Sequence, residues 1–268
     1  GLSATRASRW HDAAGRRRSR RSYTDRPVSS TDLDTLERLA RDFRPWPGAR
    51  VELVREAPAG LFMGIVGAYG GVSGARSAFV FAGSVGAAPE GVGFTGEALV
   101  LEATALGLDT CWVGGLFSAG HAASAVTLEP GERVFAVSPL GHAVTDVTMK
   151  ERVMFGAAHA KRRRPLEEIA PGSDAWPDWA RAAVQAATVA PSAMNRQPWR
   201  FRFDDGGLVV GFDGADTPRI SKRLDCGIAM VHAELAMVSR DVSSISMEPT
   251  IRANWPLSPS EYPFVQGW

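Results

Sequence analysis

Apolar positions recur at helical spacing at Leu33, Leu36, Ala40 and Phe43, behind Ser30 as a candidate N-cap and acidic Asp32 and Asp34 in the first turn. Pro45 and Pro47 end that helix. Residues 51–54 and 78–82 read as strands, and the second is apolar throughout, as a buried strand requires. Between them, the glycine-rich stretch 64–74 reads as a loop or a lid. The segment 94–106 predicts a helix: Phe94, Ala98, Leu101 and Ala105 share one face, and Leu99, Ala103 and Leu106 widen it, so the helix should be buried on most sides. Gly107 stops it. An extended piece at 110–113 runs into Gly114 and Gly115, and 134–140 is a further strand.

The later part of the chain repeats this order in outline. A helix at 174–187 leads to a loop at 190–199, strands at 201–203 and 208–210 flank a turn at 204–207, and a second apolar helix runs from about Cys226 to Arg240. Asp225 is its candidate cap, and Ile228, Val231, Leu235 and Val238 carry the helical spacing. The repeat is one of element order, with little residue identity. The stretch 247–268, with four prolines and two tryptophans, has no assigned role.

With 45% hydrophobic residues in a 268-residue chain, there is enough apolar material for a sizeable core. No apolar run approaches the length of a membrane span, and residues 1–10 carry no apolar leader. Cys111 and Cys226 fit neither a disulfide scaffold nor a metal motif, so a reducing, cytoplasmic setting and no metal are expected. The five histidines, His142 and His232 among them, are expected to be structural or on the surface. Net charge of +1 does not advertise nucleic-acid binding by the whole molecule. The positive charge is clustered, however: Arg16, Arg17, Arg18, Arg20 and Arg21 form one knot, and Lys161, Arg162, Arg163 and Arg164 another.

Four stretches carry candidate chemistry. In Arg17-Arg18-Ser19-Arg20-Arg21-Ser22-Tyr23, guanidinium forks and a serine hydroxyl suit a phosphate, although a solvated basic arm or a nucleic-acid patch would look the same. In residues 190–199, Pro191 and Pro198 fix the ends of a loop in which Ser192, Asn195 and Gln197 offer paired donors and acceptors, as needed to read a heterocycle edge. The 107–115 stretch ends in two glycines, which allow close backbone approach to a ligand, or simply cap a helix. The basic run 161–164, followed by Pro165 and two glutamates, reads by itself as a charged linker.

Taken together and in this order, these stretches resemble the nitroreductase family. Its opening Arg-Arg-Ser-x-Arg-x-aromatic pattern is matched by 17–23, and its Pro-Ser-x-x-Asn-x-Gln-Pro-Trp loop by 191–199 at every defined position. Its Gly-Leu-Gly-x-x-Trp-x-Gly-Gly pattern is matched by 107–115, with Asp109 in place of the middle glycine. In ordinary members the Pro-Ser loop follows the first helix; here it stands about 150 residues later in the chain.

The resemblance therefore implies a branch in which one chain carries two fused half-units, 1–160 on the phosphate side and 161–268 with the Pro-Ser loop. The implied fold is α+β, an antiparallel or mixed sheet flanked by helices in two pseudo-symmetric halves. It further implies one FMN per chain, a monomer, and no catalytic side chain, because the flavin does the chemistry. Arg17, Arg18, Ser19 and Arg21 would hold the phosphate and ribityl chain, with Lys161 and Arg163 as helpers. Pro191, Ser192, Asn195 and Gln197 would line the ring, and the backbone of Gly114 and Gly115 would lie near its N5. NADH or NADPH would be the electron donor, and a nitroaromatic or quinone-like small molecule the acceptor. The same features leave open a natural-product dehydrogenase or oxidase, or a non-catalytic FMN carrier. The Arg- and Ala-rich composition points to a bacterial source.

Overall fold

The computed structural model describes residues 2–62, 71–84, 88–115, 117–148, 151–152, 156, 162–217, 220–238 and 251–253. It opens with a helix that the hydrophobic pattern did not announce, α1 (Ala4–Arg16), capped by Ser3. Its core face is made of Ala7, Trp10, Ala13 and Ala14, so three of the four buried side chains are alanines, which barely register against the arginines around them. α2 (Ser30–Asp42) follows the predicted stripe, but its cap is Ser29, whose hydroxyl accepts the Asp32 N–H at 3.1 Å, so Ser30 is the first helical residue.

Strands β1 (Ala49–Val54), β2 (Ser77–Ser84) and β4 (Glu132–Gly141) build an antiparallel sheet in the order β1-β2-β4-β3, where β3 is the short strand Asp109–Thr110. The long helix α3 (Pro89–Ala105) lies between β2 and β3 in sequence and begins five residues before the predicted start at Phe94. Gly91 and Gly93 dilute its first turns as a helix signal, yet both are close-packing positions. α4 (Ala119–Ser124) is a short helix between β3 and β4.

The later part begins with α5 (Leu166–Ile169) and α6 (Asp178–Ala187). The predicted helix over 174–187 is divided: Ser173–Ala175 form a single 3-10 turn and Pro177 starts α6 anew. β5 (Trp199–Asp204) and β6 (Gly207–Phe212) make a hairpin, and β7 (Ile251–Ala253) adds in parallel to β6. α7 (Lys222–Val238) starts before the predicted cap, so Asp225 is a first-turn residue of the helix and its carboxylate is free for another use. The fold is thus mixed α+β, with two sheets flanked by helices. The residues of 63–70 and most of 239–268, including nearly all of the proline- and tryptophan-rich tail, lie outside the described residues.

The order helix, antiparallel strand pair, long helix occurs twice, as α2-β1-β2-α3 and α6-β5-β6-α7. The two long helices, 17 residues each, pack on one another inside a continuous core. Their contact is reciprocal. A Cβ added at Gly93 would fall 2.1 Å from the Leu224 carbonyl oxygen, and one added at Gly227 would fall 1.9 Å from the Glu90 carbonyl oxygen. Each glycine therefore admits the backbone of the other helix three residues before the other glycine.

Candidate functional site

The four chemistry-bearing stretches are linked to one another around the ends of α3 and α7. The first two join directly. Where α1 ends, Arg17 turns the chain into an extended segment, and Ser19 makes a parallel bridge to Thr110 of β3 while the Arg20 N–H donates to the Thr110 carbonyl at 2.9 Å. The arginine segment and the 107–115 stretch are thus neighbouring strands. Glu151 pins the other end: its carboxylate accepts the Arg21 N–H at 2.8 Å and the Arg20 Nε at 3.4 Å. Burial pushes Glu151 upward, but the Arg21 and Thr148 N–H groups and the Arg20 guanidinium outweigh it and hold the carboxyl down at about 2. Arg20 is committed to that clamp and to the Val144 carbonyl.

The second junction is between 107–115 and the later part of the chain. A Cβ at Gly114 would lie 3.1 Å from Ile220, and one at Gly115 would lie 2.8 Å from it. The glycine pair therefore admits Ile220, whose carbonyl accepts Arg196 Nη2 at 2.8 Å. Arg196 belongs to the 191–199 loop, and its Nε donates to Asp225 of α7 at 2.6 Å. Asp225 also accepts the Ala193 N–H at 3.0 Å, so its carboxylate holds the loop from beneath. Burial raises Asp225 to about 6, against the pull of Arg196 and the Ala193 N–H.

The 191–199 loop is strained. Met194, Asn195 and Gln197 have φ of 50°, 54° and 47°, in the left-handed region that side chains other than glycine rarely enter. Such strain persists where surroundings over-determine it and concentrates at binding sites. The surroundings here are explicit. Gln197 accepts the Arg164 N–H and donates to the Arg162 and Asn195 carbonyls; Asn195 donates to the Arg162 carbonyl and accepts from Arg163; the Ser192 hydroxyl accepts the Gln197 N–H. The amide side chains that the sequence reading turned toward a heterocycle thus have partners within the protein, and they fasten the loop to 162–164. That run of residues is a brace for the loop, where the sequence by itself suggested a linker. Lys161 lies outside the described residues.

The third junction is Arg163. Its Nη1 donates to the Ala190 carbonyl at 3.1 Å and to Asn195 Oδ1 at 3.0 Å. Burial lowers its pKa, and the nearby positive charges of Arg17 and Arg18 lower it further. The basic segment near the start of the chain and the proline-bracketed loop therefore share one electrostatic neighbourhood. Arg17 is buried, its pKa lowered by that burial and supported by Glu97, and its Nε has no hydrogen-bond partner among the described residues. Its Nη1 reaches Ser19 Oγ at 3.4 Å. Arg18 donates to the Gly15 and Arg17 carbonyls. Arg17, Arg18 and Arg163 are thus close enough to feel one another's charge, and the buried Arg17 Nε is a donor with no hydrogen bond among the described residues.

Several contributors were not read from the sequence. By its position in the sequence Asp225 reads as a cap, and Glu97, Glu151 and Ile220 lie in no motif. Glu97 had a visible signal: a carboxylate inside an otherwise apolar helix must be paired. Asp109, the departure from the Gly-Leu-Gly pattern, accepts the Ala143 N–H at 2.9 Å and is spent on that turn. A cavity of about 490 Å3 opens beside Glu56, Phe62, Val72, Gly74 and Arg76, at the described end of the glycine-rich stretch. Among the described residues no cluster could hold a metal ion, and no helix is long and apolar enough to cross a membrane.

Comparison with known proteins follows the same lines. A family model described as "Putative TM nitroreductase" matches residues 11–237, from within α1 to the end of α7. Among solved structures, a Thermotoga maritima protein described as a "putative nitroreductase" is 22% identical with a TM-score of 0.53, over 85% of this chain and 82% of its own. A nitroreductase family protein from Clostridium difficile 630 is 21% identical with a TM-score of 0.45, over 59% of this chain and 95% of its own. An FMN-dependent nitroreductase from Clostridium difficile R20291 is 18% identical with a TM-score of 0.40, over 51% of this chain and 88% of its own. No curated protein matches.

Proposed function

The chain belongs to the nitroreductase family, whose model matches residues 11–237, and from that premise we propose that it is an FMN-dependent oxidoreductase that passes electrons from NADH or NADPH to an electron-poor small molecule of the nitroaromatic or quinone kind. The observation that carries this reading is Arg163, bonded to the Pro-Ser loop at Ala190 and Asn195 while its charge is felt together with those of Arg17 and Arg18. One ligand that needs both a phosphate cradle and a rigid polar loop accounts for the pairing.

The residues fit FMN. The buried Arg17 Nε lacks a hydrogen-bond partner among the described residues, and a phosphate oxygen is the acceptor it suits. Arg17, Arg18 and Arg163 would hold the phosphate, with Lys161 as a helper, and Ser19 and Arg21 would continue the site along the extended segment. Pro191, Ser192, Asn195 and Gln197 would present the loop to the ring, its shape fixed by the bonds to 162–164 and by Asp225. Backbone N–H groups at Gly114 and Gly115 would stabilise negative charge on the ring. Bound FMN supplies two-electron transfer chemistry; the protein binds, orients and shields it.

The same proposal holds one site per chain, two fused half-units at 1–160 and 161–268, a monomer, and a cytoplasmic setting. The repeated element order and the Gly93–Gly227 reciprocity support the two half-units. The later half has no Arg-Arg-Ser segment of its own, which supports the single site.

The test is anaerobic addition of NADPH or NADH to the FMN-loaded protein. Bleaching of the flavin, and its return on adding a quinone or nitroaromatic, is expected. FMN that stays oxidised with both donors would leave a flavin carrier and overturn the enzyme.

A further inference from the structure

Glu97 stands near the middle of α3 and is fully buried. Its Oε2 accepts the Trp112 indole N–H at 2.7 Å, while its Oε1 faces His232 Nε2 at 3.0 Å and Arg17 Nε at 3.9 Å. A carboxylate out of water is destabilising unless its charge and lone pairs are met. The groups that meet this one come from three separate stretches: the end of the first helix, the piece that leads into Gly114 and Gly115, and α7 of the later half. Trp112 is itself held, stacked on Phe81 with ring centroids 4.1 Å apart and leaning on Gly96, where a Cβ would fall 2.5 Å from the indole.

The geometry at Arg17 is specific. Glu97 is near enough to counter part of the burial that lowers the Arg17 pKa, yet at 3.9 Å it does not use up the Nε donor. Arg17 is kept charged, fixed in place and still able to donate.

Resting on the flavin reading above, we propose that Glu97 is a positioning residue for phosphate recognition: it fixes the Arg17 guanidinium relative to the Trp112 end of the glycine-pair loop and acts on the cofactor through Arg17. The competing account makes Glu97 only a packing pillar between α3 and α7. The two separate because a pillar has no preference between flavins with and without a phosphate.

The experiment titrates cofactor-stripped protein with FMN and, separately, with riboflavin, which has the same ring and no phosphate. Glu97→Gln keeps the volume and an acceptor for Trp112 but removes the charge facing Arg17. Loss of about tenfold in FMN affinity is expected, the worth of one charge-assisted hydrogen bond, with riboflavin changed by no more than about twofold. Adding Glu97→Gln to Arg17→Ala should then weaken FMN little beyond Arg17→Ala alone, because Glu97 acts through Arg17. Equal loss for both flavins, or no change in FMN affinity, overturns the proposal. A wild-type protein that binds neither flavin overturns the flavin reading itself, a distinguishable failure. Should Glu97→Gln not fold, His232→Asn keeps the charge and loosens the anchor: a selective loss of FMN affinity supports the proposal, and an unchanged FMN-to-riboflavin ratio overturns it.

Discussion

Gly93 on α3 and Gly227 on α7 each occupy the point where the other helix's backbone passes, 2.1 Å and 1.9 Å from where a Cβ would be. The clash in each case is with a carbonyl oxygen, which cannot swing aside as a side-chain tip can. Either glycine replaced by alanine would force the two long helices apart through the middle of the core. We expect Gly93→Ala and Gly227→Ala each to destabilise by about 1–3 kcal/mol, despite alanine's better helix propensity. Thermal denaturation checks this, and an unchanged or raised Tm for both would contradict the reciprocal packing.

Met194 offers the opposite sign. Its φ is 50° and its side chain is 60% exposed, so glycine there relieves strain while giving up little packing. Met194→Gly should stabilise by up to about 1 kcal/mol, the flexibility gained by the unfolded chain taking back part of the benefit. Denaturant midpoints at constant m-value test it. Asn195, with a similar φ, should not behave this way, because its side chain braces Arg162 and Arg163.

Glu151 makes acid stability informative. Its folded carboxyl is held at about 2, below its ordinary 4.5, by the N–H groups of Arg21 and Thr148 and by Arg20. A depressed acid stabilises the fold above the unfolded value, and that contribution disappears as pH falls from 4.5 through about 2. Glu151→Gln should therefore be less stable than wild type at neutral pH, with the gap narrowing across that window. A gap independent of pH would contradict the clamp on Arg20 and Arg21.

Asp225 has the reverse sign. Its folded value of about 6 exceeds the ordinary 3.8, so the folded state keeps a proton that the unfolded chain releases between them. Its contribution falls as pH rises through that interval and is level beyond it. Arg196 opposes the shift, so Arg196→Met should move the Asp225 titration further upward, observable by carbon NMR of the carboxyl group. A downward movement would contradict the pairing beneath the loop.

What the chain revealed unaided depended on how each segment signals burial. The apolar width of 94–106 and the unbroken apolar run of 78–82 announce themselves because Phe, Leu and Val recur in them. α1 stayed hidden because its core face is mostly alanine, and the start of α3 because glycines admit a partner helix that no local pattern foretells. At the candidate site, the motif residues were legible as a set but their tasks were not. Gln197, Asn195 and Ser192 read as donors and acceptors for a heterocycle edge, and only the path of 162–164 and of the loop itself shows which protein groups they bond. Asp225 looked like a cap from its position in sequence, and only the path of the 191–199 loop gives it a different partner.

The central claim is that the basic segment at Arg17 and the loop at 191–199 clasp the same FMN. The most direct measurement is the visible absorption spectrum of purified protein after incubation with FMN and gel filtration, with cofactor counted per chain. The account predicts the two flavin bands at about one FMN per chain, with occupancy reduced by Arg17→Ala and by Arg163→Ala alike. A colourless protein, two FMN per chain, or retention unaffected by either substitution would contradict it.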